Sequence, residues 1–406
     1  MKTAVIGGGA AGFFAAINLK EMVASMEVTI FERGQHVLQK VEISGGGRCN
    51  CTNSFRLVSD LSQVYPRGHR LLKRLFKSFG PKDAYNWFEN RGVKLVTQDD
   101  ECVFPQSQDS HSIINLFLAE AHRLGIKILT GTYVKSLDDI LHDYDYVIVT
   151  TGGSPRKEGL QWLNHDIEQP VPSLFTFEIA DKNLHKLMGT VVEAPTVFIP
   201  GTKIRSCGPL LITHWGMSGP AILRLSSYAA RLLADNNYNM PLSVNWTSNT
   251  EASVRDELKA IATSHRQKQL VSQRPYNLPS RLWNYLVEKS LSSNHNSSNE
   301  SSGQVISRRW CDISNKDMNR LVNTLINDEY IISGRAPFKD EFVTCGGIAL
   351  SSISPSTLES RQRSNVFFAG EVLDIDGVTG GFNFQAAWTT GYTVAKAIKD
   401  KSISNK

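Results

Sequence analysis

The sequence of 406 residues has no long hydrophobic run, no block of one charge sign and only six cysteines. No segment approaches the ~18 consecutive apolar residues that a membrane-spanning helix needs. Lys2 leads directly into a run of β-forming residues. We therefore expect no signal peptide and no membrane partner, and we expect a cytoplasmic protein.

The charged residues are mixed along the chain rather than clustered. The net charge of +5 is small for this length, and Lys and Arg are scattered among Asp and Glu. The basic groove with interleaved aromatic residues that single-stranded nucleic acid binds is missing. We therefore expect no nucleic-acid partner, although a sequence pI of about 8.8 leaves that possibility open.

The few cysteines are spread thinly, and no spacing among them suggests a zinc site. We expect no bound metal and a reducing compartment. The closest pair is Cys49 and Cys51. A disulfide between two cysteines separated by one residue would be small and strained, so we favour two packed free thiols at these positions.

What the sequence does contain begins with a β-strand, a glycine turn, a helix and a second strand within about thirty residues, the size of a βαβ unit. The turn reads VIGGGAAG, with Gly7, Gly9 and Gly12 in the order of a dinucleotide-binding fingerprint. Glu32 follows twenty residues after Gly12, where a carboxylate accepts hydrogen bonds from the adenosine ribose. This acid favours FAD or NAD over NADP.

The far end of the chain favours FAD over NAD. Residues 365–383 read NVFFAGEVLDIDGVTGGFN, a short apolar strand that ends at Gly370 and Glu371, followed by a glycine pair that opens a helix. This pattern resembles the second fingerprint of two-dinucleotide flavoproteins, in which the acid binds the ribityl chain. Asp376 could face the same chain. The helix that begins near Gly381 would direct its N–H groups at the flavin edge where negative charge develops on reduction.

Two further stretches fit a flavin site. The run YVIVTTGG at residues 146–153 resembles the strand and following glycines, here called the glycine crossing, that lie near the adenosine half of FAD in flavoproteins of this class. Val134 lies where such proteins bond the adenine edge through backbone N–H and C=O groups. The stretch SGGGRCNCTN at residues 44–53 can wrap its backbone closely around a ligand. Arg48 and, just upstream, Lys40 are candidate cations for the pyrophosphate or the flavin, or else charged decoration of a surface loop.

The pattern changes in the middle of the chain. Short β-like stretches separated by Pro and Gly replace the alternation of strand and helix, which favours an antiparallel sheet or barrel. Helical patterns follow, interrupted by a Ser/Asn-rich stretch. We expect an α/β dinucleotide domain in two halves at 1–190 and 342–406. Between them we expect a β-barrel-like domain at 191–250 and 328–341, and a helical subdomain at 251–327 with a mobile loop at 291–303.

Together these motifs resemble the NAD(P)/FAD-dependent oxidoreductases of the aminoacetone-oxidase and BaiN/RdsA type, over essentially the whole chain. The stretches SGGGRCN and GEVLDIDGVTGGFN carry most of the resemblance, because the first glycine motif is widespread. Departures are Glu42 before the glycine run, Cys51, and the 291–303 loop. The resemblance implies a discontinuous Rossmann-like FAD-binding domain of the glutathione-reductase type, with an inserted β-barrel and a helical subdomain.

The motifs and the resemblance predict one set of FAD-contact residues. The set is Gly7, Gly9, Ala10, Ala11, Gly12, Glu32, Arg33, Lys40, Gly47, Arg48, Cys49, Asn50, Val134, Thr151, Gly152, Gly370, Glu371, Asp376, Gly381, Phe382 and Asn383.

The leading hypothesis for function is an FAD-dependent oxidoreductase that acts on a C–N, C–C or C–O bond of a small organic substrate. No second strand–GxGxxG–helix unit follows the first, so NAD(P)H, if it is a transient reductant, must bind without a domain of its own. The alternatives are a dithiol reductase that uses Cys49 and Cys51, and a flavin-dependent RNA-modifying accessory protein. The weak catalytic candidates are His214, Arg48 and Cys49. The oligomeric state stays open.

Overall fold

The computed structural model describes residues 1–292, 307–336 and 343–404. The strands are β1 Lys2–Ile6, β2 Glu27–Phe31, β3 Thr52–Asn53, β4 Leu95–Thr97, β5 Cys102–Pro105, β6 Lys127–Leu129, β7 Tyr146–Val149, β8 Ile167–Ser173, β9 Phe177–Glu178, β10 Val191–Val192, β11 Thr196–Phe198, β12 Arg205–Cys207, β13 Leu210–Ile212, β14 Gly216–Ser218, β15 Met240–Asn245, β16 Asp328–Ile332, β17 Gly334–Arg335, β18 Val343–Ile348 and β19 Val366–Phe368.

The helices are α1 Ala10–Met22, α2 Gln39–Gly47, α3 His69–Leu75, α4 Pro81–Glu89, α5 His111–Arg123, α6 Leu137–Asp143, α7 Lys182–His185, α8 Pro220–Tyr228, α9 Ala230–Asp235, α10 Glu251–Ser264, α11 Ser280–Leu291, α12 Asn315–Ile326 and α13 Phe382–Ser404. Short 3-10 segments lie at Leu61–Gln63, Lys157–Leu163, Leu270–Ser272, Pro275–Asn277, Trp310–Asp312, Leu350–Ser352 and Gly370–Val372.

The chain divides into two compact units, Met1–Ser173 with Glu341–Lys406, and Leu174–Asp340. The division therefore falls inside the range 1–190 that the sequence assigned to the first half of the FAD domain. The finer separation of the inserted part into a barrel-like and a helical portion stays a prediction. The predicted loop at 291–303 lies, beyond Ser292, outside the described residues.

The first unit is built on a parallel sheet in the order β19-β7-β1-β2-β6. Strands β1, β2 and β7 are buried over most of their length, as expected of a parallel sheet covered on both faces. Strand β19 pairs with β7, which is next to β1, so both ends of the chain contribute to one sheet. The predicted Rossmann-like α/β architecture is confirmed.

Helix α13 packs against α1 in this unit, and large aromatic side chains fill the contact. The ring of Trp388 lies 5.2 Å from that of Phe14. Gly391 allows close approach, because a Cβ atom there would lie 3.0 Å from the carbonyl oxygen of Ala11. The two helices that follow the two glycine motifs are therefore packed together.

The second unit contains antiparallel strands and helices. Its strands form one sheet in the order β10-β13-β14-β9-β17 and another in the order β12-β11-β15-β16. The long gap between β15 and β16 in the chain holds helices α10 to α12, and β16 returns to pair with β15 along five residues. This order agrees with the β-rich pattern interrupted by helices in the sequence.

One local sequence pattern differs from the structure. The β-forming residues at 133–137 predict a short strand, but residues 133–136 form a loop and Leu137 begins α6. Ser136 caps that helix through its hydroxyl, which accepts a hydrogen bond from the N–H of Asp138. The local cap thus outweighs the β-like pattern.

Candidate functional site

The first glycine turn joins β1 to α1. Gly7 has a φ of +114°, and a Cβ atom on it would lie 2.4 Å from the carbonyl oxygen of Thr150. A Cβ atom on Gly12 would lie 2.1 Å from the carbonyl oxygen of Gly7. At Gly9 no atom of the described chain, apart from Gly9 itself and its two neighbours, lies within 4 Å of that position. The protein therefore leaves no space for a side chain at Gly7 or Gly12, whereas space is free beside Gly9.

Helix α1 begins without a side-chain cap, because its N-cap residue is Gly9. Its first turn contains Ala10 and Ala11, and it has no acidic residue. The first N–H groups of a helix have no partner within the helix. Together with the positive end of the helix dipole, such N–H groups can bind an anion, and the small side chains of this turn would leave room for a diphosphate.

Glu32 lies at the end of β2, beside this turn. Its two carboxylate oxygens accept hydrogen bonds from the N–H groups of Gly8 at 2.8 Å and Gly34 at 2.7 Å. Each carboxylate oxygen can accept a second bond, so Glu32 could also accept one from a ribose hydroxyl. Arg33 is exposed next to it, and Val134 is buried in the loop after β6.

Glu371 lies beyond β19, with Gly370 at a φ of +77°. The N–H of Thr344 donates to its Oε1 and the Nζ of Lys40 to its Oε2, each at 2.8 Å. Burial raises the pKa of Glu371, but the Lys40 ammonium and these hydrogen bonds outweigh burial, so its pKa lies below the ordinary value. Glu371 is therefore an ionised acceptor.

The glycine crossing after β7 lies beside the same carboxylate. A Cβ atom on Gly152, which has a φ of +74°, would lie 3.8 Å from Oε2 of Glu371. A Cβ atom on Gly153 would lie 2.8 Å from its Oε1. Thr151 is exposed at the start of the crossing. Glycine is therefore favoured at 152 by its positive φ, and at 153 by lack of space, since a Cβ atom there would also lie 2.2 Å from Oγ1 of Thr344.

The SGGG stretch forms the kinked end of α2. Gly45, Gly46 and Gly47 have φ values of 58°, 68° and 81°, which favour glycine. Cys49 also has a positive φ, of 57°, and its N–H donates to the carbonyl of Ser44. The stretch therefore turns back on itself.

Asn50 connects this stretch to the C-terminal glycine pair. In the amide orientation that satisfies both ends of this side chain, its oxygen accepts from the N–H of Gly381 at 3.2 Å and its nitrogen donates to the carbonyl of Thr52 at 2.9 Å. A Cβ atom on Gly381 would lie 2.1 Å from that same carbonyl. The structure therefore brings together two motifs that lie more than 300 residues apart.

The start of α13 is held by side chains from its own turn and from earlier segments. The amide of Asn383 accepts from the N–H of Gly377 at 2.8 Å and donates to its carbonyl at 2.9 Å. The hydroxyl of Tyr65 donates to the carbonyl of Phe382 at 2.8 Å. Neither Tyr65 nor Gly377 was among the predicted site residues, because neither belongs to a recognisable motif.

The carboxylate of Asp376 is completely buried. It forms an ion pair with Arg67 and accepts a hydrogen bond from the hydroxyl of Ser173 at 3.2 Å. Burial raises the pKa of Asp376, and the Arg67 guanidinium opposes this effect. A contact between Asp376 and the ribityl chain stays a prediction.

Two of the candidate catalytic residues lie in the first unit. The guanidinium carbon of Arg48 lies 4.3 Å from the centre of the Phe104 ring, and its Nε donates to the carbonyl of Gly45 at 3.1 Å. Cys49 and Cys51 are both buried. Burial raises the pKa of Cys49 to about 12 and that of Cys51 well above its ordinary value. Thiolates are therefore strongly disfavoured here.

The third candidate, His214, belongs to the second unit. It is exposed, and its ring lies 4.8 Å from that of Trp215. A catalytic role for His214 stays a prediction.

The groups of the first unit fit FAD by their chemistry. They include an uncapped helix start for a diphosphate, Glu32 for a ribose, Glu371 for a polyol chain and a second helix start after Gly381. Within the described ranges, no cluster of three or more His, Cys, Asp or Glu side chains is suited to a metal ion. Within the same ranges, no helix has the length and apolar character needed to cross a membrane.

The chain is similar along nearly its whole length to curated proteins. It is 25% identical to a 3-dehydro-bile acid delta(4,6)-reductase of Clostridium scindens, with 98% of each chain covered. It is 28% identical to a ribosomal RNA dihydrouridine synthase of Haemophilus influenzae, with 97% of each chain covered. The motif-based resemblance to this type of flavoprotein is confirmed.

Among solved structures, the chain is similar to the 3-ketosteroid delta1-dehydrogenase of Sterolibacterium denitrificans. The two are 9% identical, with 98% of this chain and 99% of that chain covered, and the TM-score is 0.49. The family model described as the HI0933-like protein Rossmann domain matches residues 1–397. The chain therefore belongs to the HI0933-like family of Rossmann-domain proteins.

Proposed function

We propose that the chain, an FAD-dependent oxidoreductase, reduces a carbon–carbon double bond that is conjugated to a carbonyl group in a small organic substrate. The observation that supports FAD as the cofactor is a set of groups in the first unit whose chemistry suits it, namely Glu32, Gly9, Glu371 and Gly381. The names of the two relatives indicate which type of bond is reduced. A delta(4,6)-reductase of a 3-dehydro compound and a dihydrouridine synthase both saturate double bonds in conjugated carbonyl compounds.

The residues of the first unit would bind and orient the cofactor. The N–H groups at the start of α1 would hold the diphosphate, and Glu32 would accept from the adenosine ribose. Glu371, kept ionised beside Lys40, would accept from the ribityl hydroxyls. The start of α13 would stabilise negative charge at the pyrimidine edge of the ring.

When bound, FAD supplies hydride transfer. The balanced reaction takes a hydride to the carbon far from the carbonyl and a proton to the carbon beside it. We propose NAD(P)H as the transient hydride source, so that NAD(P)H, a proton and the unsaturated substrate give NAD(P)⁺ and the saturated product.

The dithiol alternative has less support. A dithiol reductase needs an accessible thiolate as its nucleophile. Cys49 and Cys51 are 0% exposed, and burial raises the pKa of each, to about 12 for Cys49. These properties favour packed, unreactive thiols.

A second candidate substrate is uridine within RNA. The name of the Haemophilus influenzae relative suggests it, and the distribution of charge favours it. The first unit has 25 Lys and Arg and 25 Asp and Glu, whereas residues 174–340 have 19 and 14, so the whole net charge of +5 lies in the second unit.

Part of this charge forms one exposed group, the basic strip, made of Arg266, Lys268 and Arg309. Backbone hydrogen bonds align the two segments that carry it. The N–H of Cys311 donates to the carbonyl of Arg266, and that of Trp310 to the carbonyl of Lys268. Three aligned cations suit a phosphate backbone.

An anaerobic stopped-flow experiment tests both candidates. The FAD-loaded enzyme is reduced with NADPH or NADH and mixed with a 3-oxo-4,6-diene steroid acid, with a uridine-containing rRNA transcript, or with oxygen. We expect the conjugated carbonyl compound to reoxidise the flavin and to be recovered saturated. Reoxidation by the transcript alone would replace the proposal with the RNA candidate. Reoxidation by oxygen alone would identify an oxidase and overturn both.

The basic strip provides an independent test of the RNA candidate. We compare the charge-reversed variant Arg266→Glu/Lys268→Glu/Arg309→Glu with the matched control Lys182→Glu/Lys203→Glu/Arg205→Glu, which changes exposed cations of the same unit. The salt slope is the change in the logarithm of the RNA binding constant with the logarithm of the salt concentration. If RNA is the substrate, the strip variant should lower the magnitude of this slope by about 2–3, and the control variant should lower it by less. Equal effects of both variants would exclude the strip as an RNA contact.

A further inference from the structure

A short segment that the sequence motifs do not include lies against the flavin-side glycine turn. We name residues 64–68 the strap and residues 375–382 the glycine turn. The N–H of Val378 donates to the first carbonyl of the strap at 2.8 Å. The hydroxyl of Tyr65 donates to the carbonyl of Phe382 at 2.8 Å. The strap therefore contacts the glycine turn at its middle and at its end.

The strongest contact between the two segments is the ion pair of Arg67 and Asp376. The Nε of Arg67 lies 2.5 Å from Oδ1 of Asp376, and a second guanidinium nitrogen bonds to Oδ2. The main chains of the two residues also form an isolated antiparallel bridge. Arg67 is thus joined to the glycine turn by two side-chain bonds and by its backbone.

This ion pair is deeply buried. The side chain of Asp376 is 0% exposed and that of Arg67 is 14% exposed. Taking two charges out of water is costly, and a buried pair is often no more stabilising than well-packed apolar side chains. Its planar, two-bonded geometry does fix the relative position of the two segments. The pair is therefore better explained by orientation than by stability.

The strap also approaches the glycine turn too closely for a larger residue at its end. Gly68 has a φ of +78°, and a Cβ atom there would lie 2.7 Å from the side chain of Ile375. A Cβ atom on Gly377 would lie 3.1 Å from the ring of Tyr65. The two segments therefore fit each other along their length.

We propose that Arg67 is a positioning residue for the flavin: through Asp376 it fixes the glycine turn, and with it the N–H groups that open α13. The proposal rests on the proposed function in one respect, that FAD binds to the first unit. The interaction of a helix terminus with charge falls off within its first turn. A loosened turn would therefore weaken FAD binding, and it would stabilise the reduced, anionic flavin less than the wild-type turn does.

The test measures three properties of purified variants: the Kd of the apoprotein for FAD, the midpoint potential of the bound flavin and the Tm of the apoprotein. For Arg67→Met we expect at least tenfold weaker FAD binding and a more negative potential. If the affinity for reduced flavin falls tenfold more than the affinity for oxidised flavin, the midpoint potential becomes about 30 mV more negative. Arg67→Lys keeps the charge without the two-bonded geometry, so its values should fall between those of Arg67→Met and the wild type.

The matched control is Lys289→Met, which breaks another ion pair to a buried carboxylate, Lys289–Asp328, in the second unit. It should lower the Tm without changing the Kd for FAD or the potential. If Arg67→Met behaves in the same way, the proposal is overturned. If Arg67→Met does not fold, the Kd for FAD and the midpoint potential are measured for Arg67→Lys and Asp376→Asn instead. Wild-type values of the Kd and the potential in these variants would overturn the proposal.

The outcomes separate this proposal from the proposed function. A wild-type protein that binds no FAD would overturn both. An FAD-loaded protein that reduces no conjugated double bond would overturn only the proposed function, because the Kd and the potential are measured without substrate.

Discussion

The carbonyl oxygen of Gly7 lies 2.1 Å from the position that a Cβ atom on Gly12 would occupy. No real side chain tolerates such a contact, so the third glycine is required by the packing of α1 on β1. Gly9 differs, since no atom of the described chain, apart from Gly9 itself and its two neighbours, lies within 4 Å of its Cβ position, and its φ of −95° suits any residue. The packing of the protein requires Gly12, and we propose that Gly9 is required by the approach of a ligand.

This contrast predicts different effects of two alanine substitutions. Gly12→Ala should destabilise the apoprotein by about 1–3 kcal/mol or more, because its new atom overlaps backbone. Gly9→Ala should leave the apoprotein Tm nearly unchanged and yet prevent normal FAD retention, because the methyl group would occupy the approach of the diphosphate. Thermal unfolding of both apoproteins and titration with FAD check this. A Gly9→Ala protein with wild-type FAD affinity would contradict the placement of the diphosphate.

Glu32→Ala should weaken FAD binding by about 10–150-fold, since a hydrogen bond to a charged group contributes about 1.5–3 kcal/mol. The flavin released from the wild type by denaturation should be FAD and not FMN, because we propose that Glu32 and the first glycine turn bind the adenosine diphosphate half, which FMN lacks. Chromatography of the released flavin and equilibrium titration measure both. Glu27→Ala, an exposed acid at the start of the same strand, is the control.

The cysteines should divide by exposure when the native protein is treated with iodoacetamide at pH 8. Cys207 and Cys311 are exposed and should react, whereas Cys49 and Cys51 should be protected. With a pKa of about 12, the Cys49 thiol is ionised in only about one molecule in ten thousand at this pH. Mass spectrometry of the peptides gives the result. Cys51→Ser should stay active with a nearly unchanged flavin spectrum, and loss of turnover together with a charge-transfer band would restore the dithiol hypothesis.

The ionised state of Glu371 predicts a dependence of stability on pH. Its pKa in the folded protein is lower than in the unfolded chain, so its contribution is complete above the unfolded value of about 4.3 and is lost as pH falls through the folded pKa. Glu371→Gln should therefore be less stable than the wild type at pH 7, and the difference should shrink in acid. Urea unfolding of the apoproteins from pH 7 to pH 3 measures this, with Glu27→Gln as the exposed control.

The sequence predicted those parts of the site whose reason is local. Gly7 and Gly12 are needed by a single turn, and Glu32 directly follows the next strand, so composition and spacing predicted this local geometry, while the FAD contacts of these residues stay a prediction. The parallel sheet followed from the same βαβ pattern, and the start of α13 followed from its glycine pair.

The parts that the sequence did not predict depend on contacts between distant segments. Arg67 follows a proline and precedes a glycine, and no periodicity marks it as the partner of Asp376. The Lys40–Glu371 pair joins residues 331 positions apart. Such pairs are set by the packing of the whole unit, which one sequence read locally does not contain.

The place of β19 at the edge of the parallel sheet has a consequence during synthesis. Its partner β7 is made long before it, and residues 174–340 are translated between the two. The edge of β7 must therefore wait unpaired on the ribosome while the second unit, whose strands all lie in one continuous stretch, can already fold. Such a non-local pairing is slow to form, and an unpaired apolar edge is prone to aggregate. We therefore expect the nascent chain to be most prone to aggregation in the interval between the emergence of β7 and that of β19.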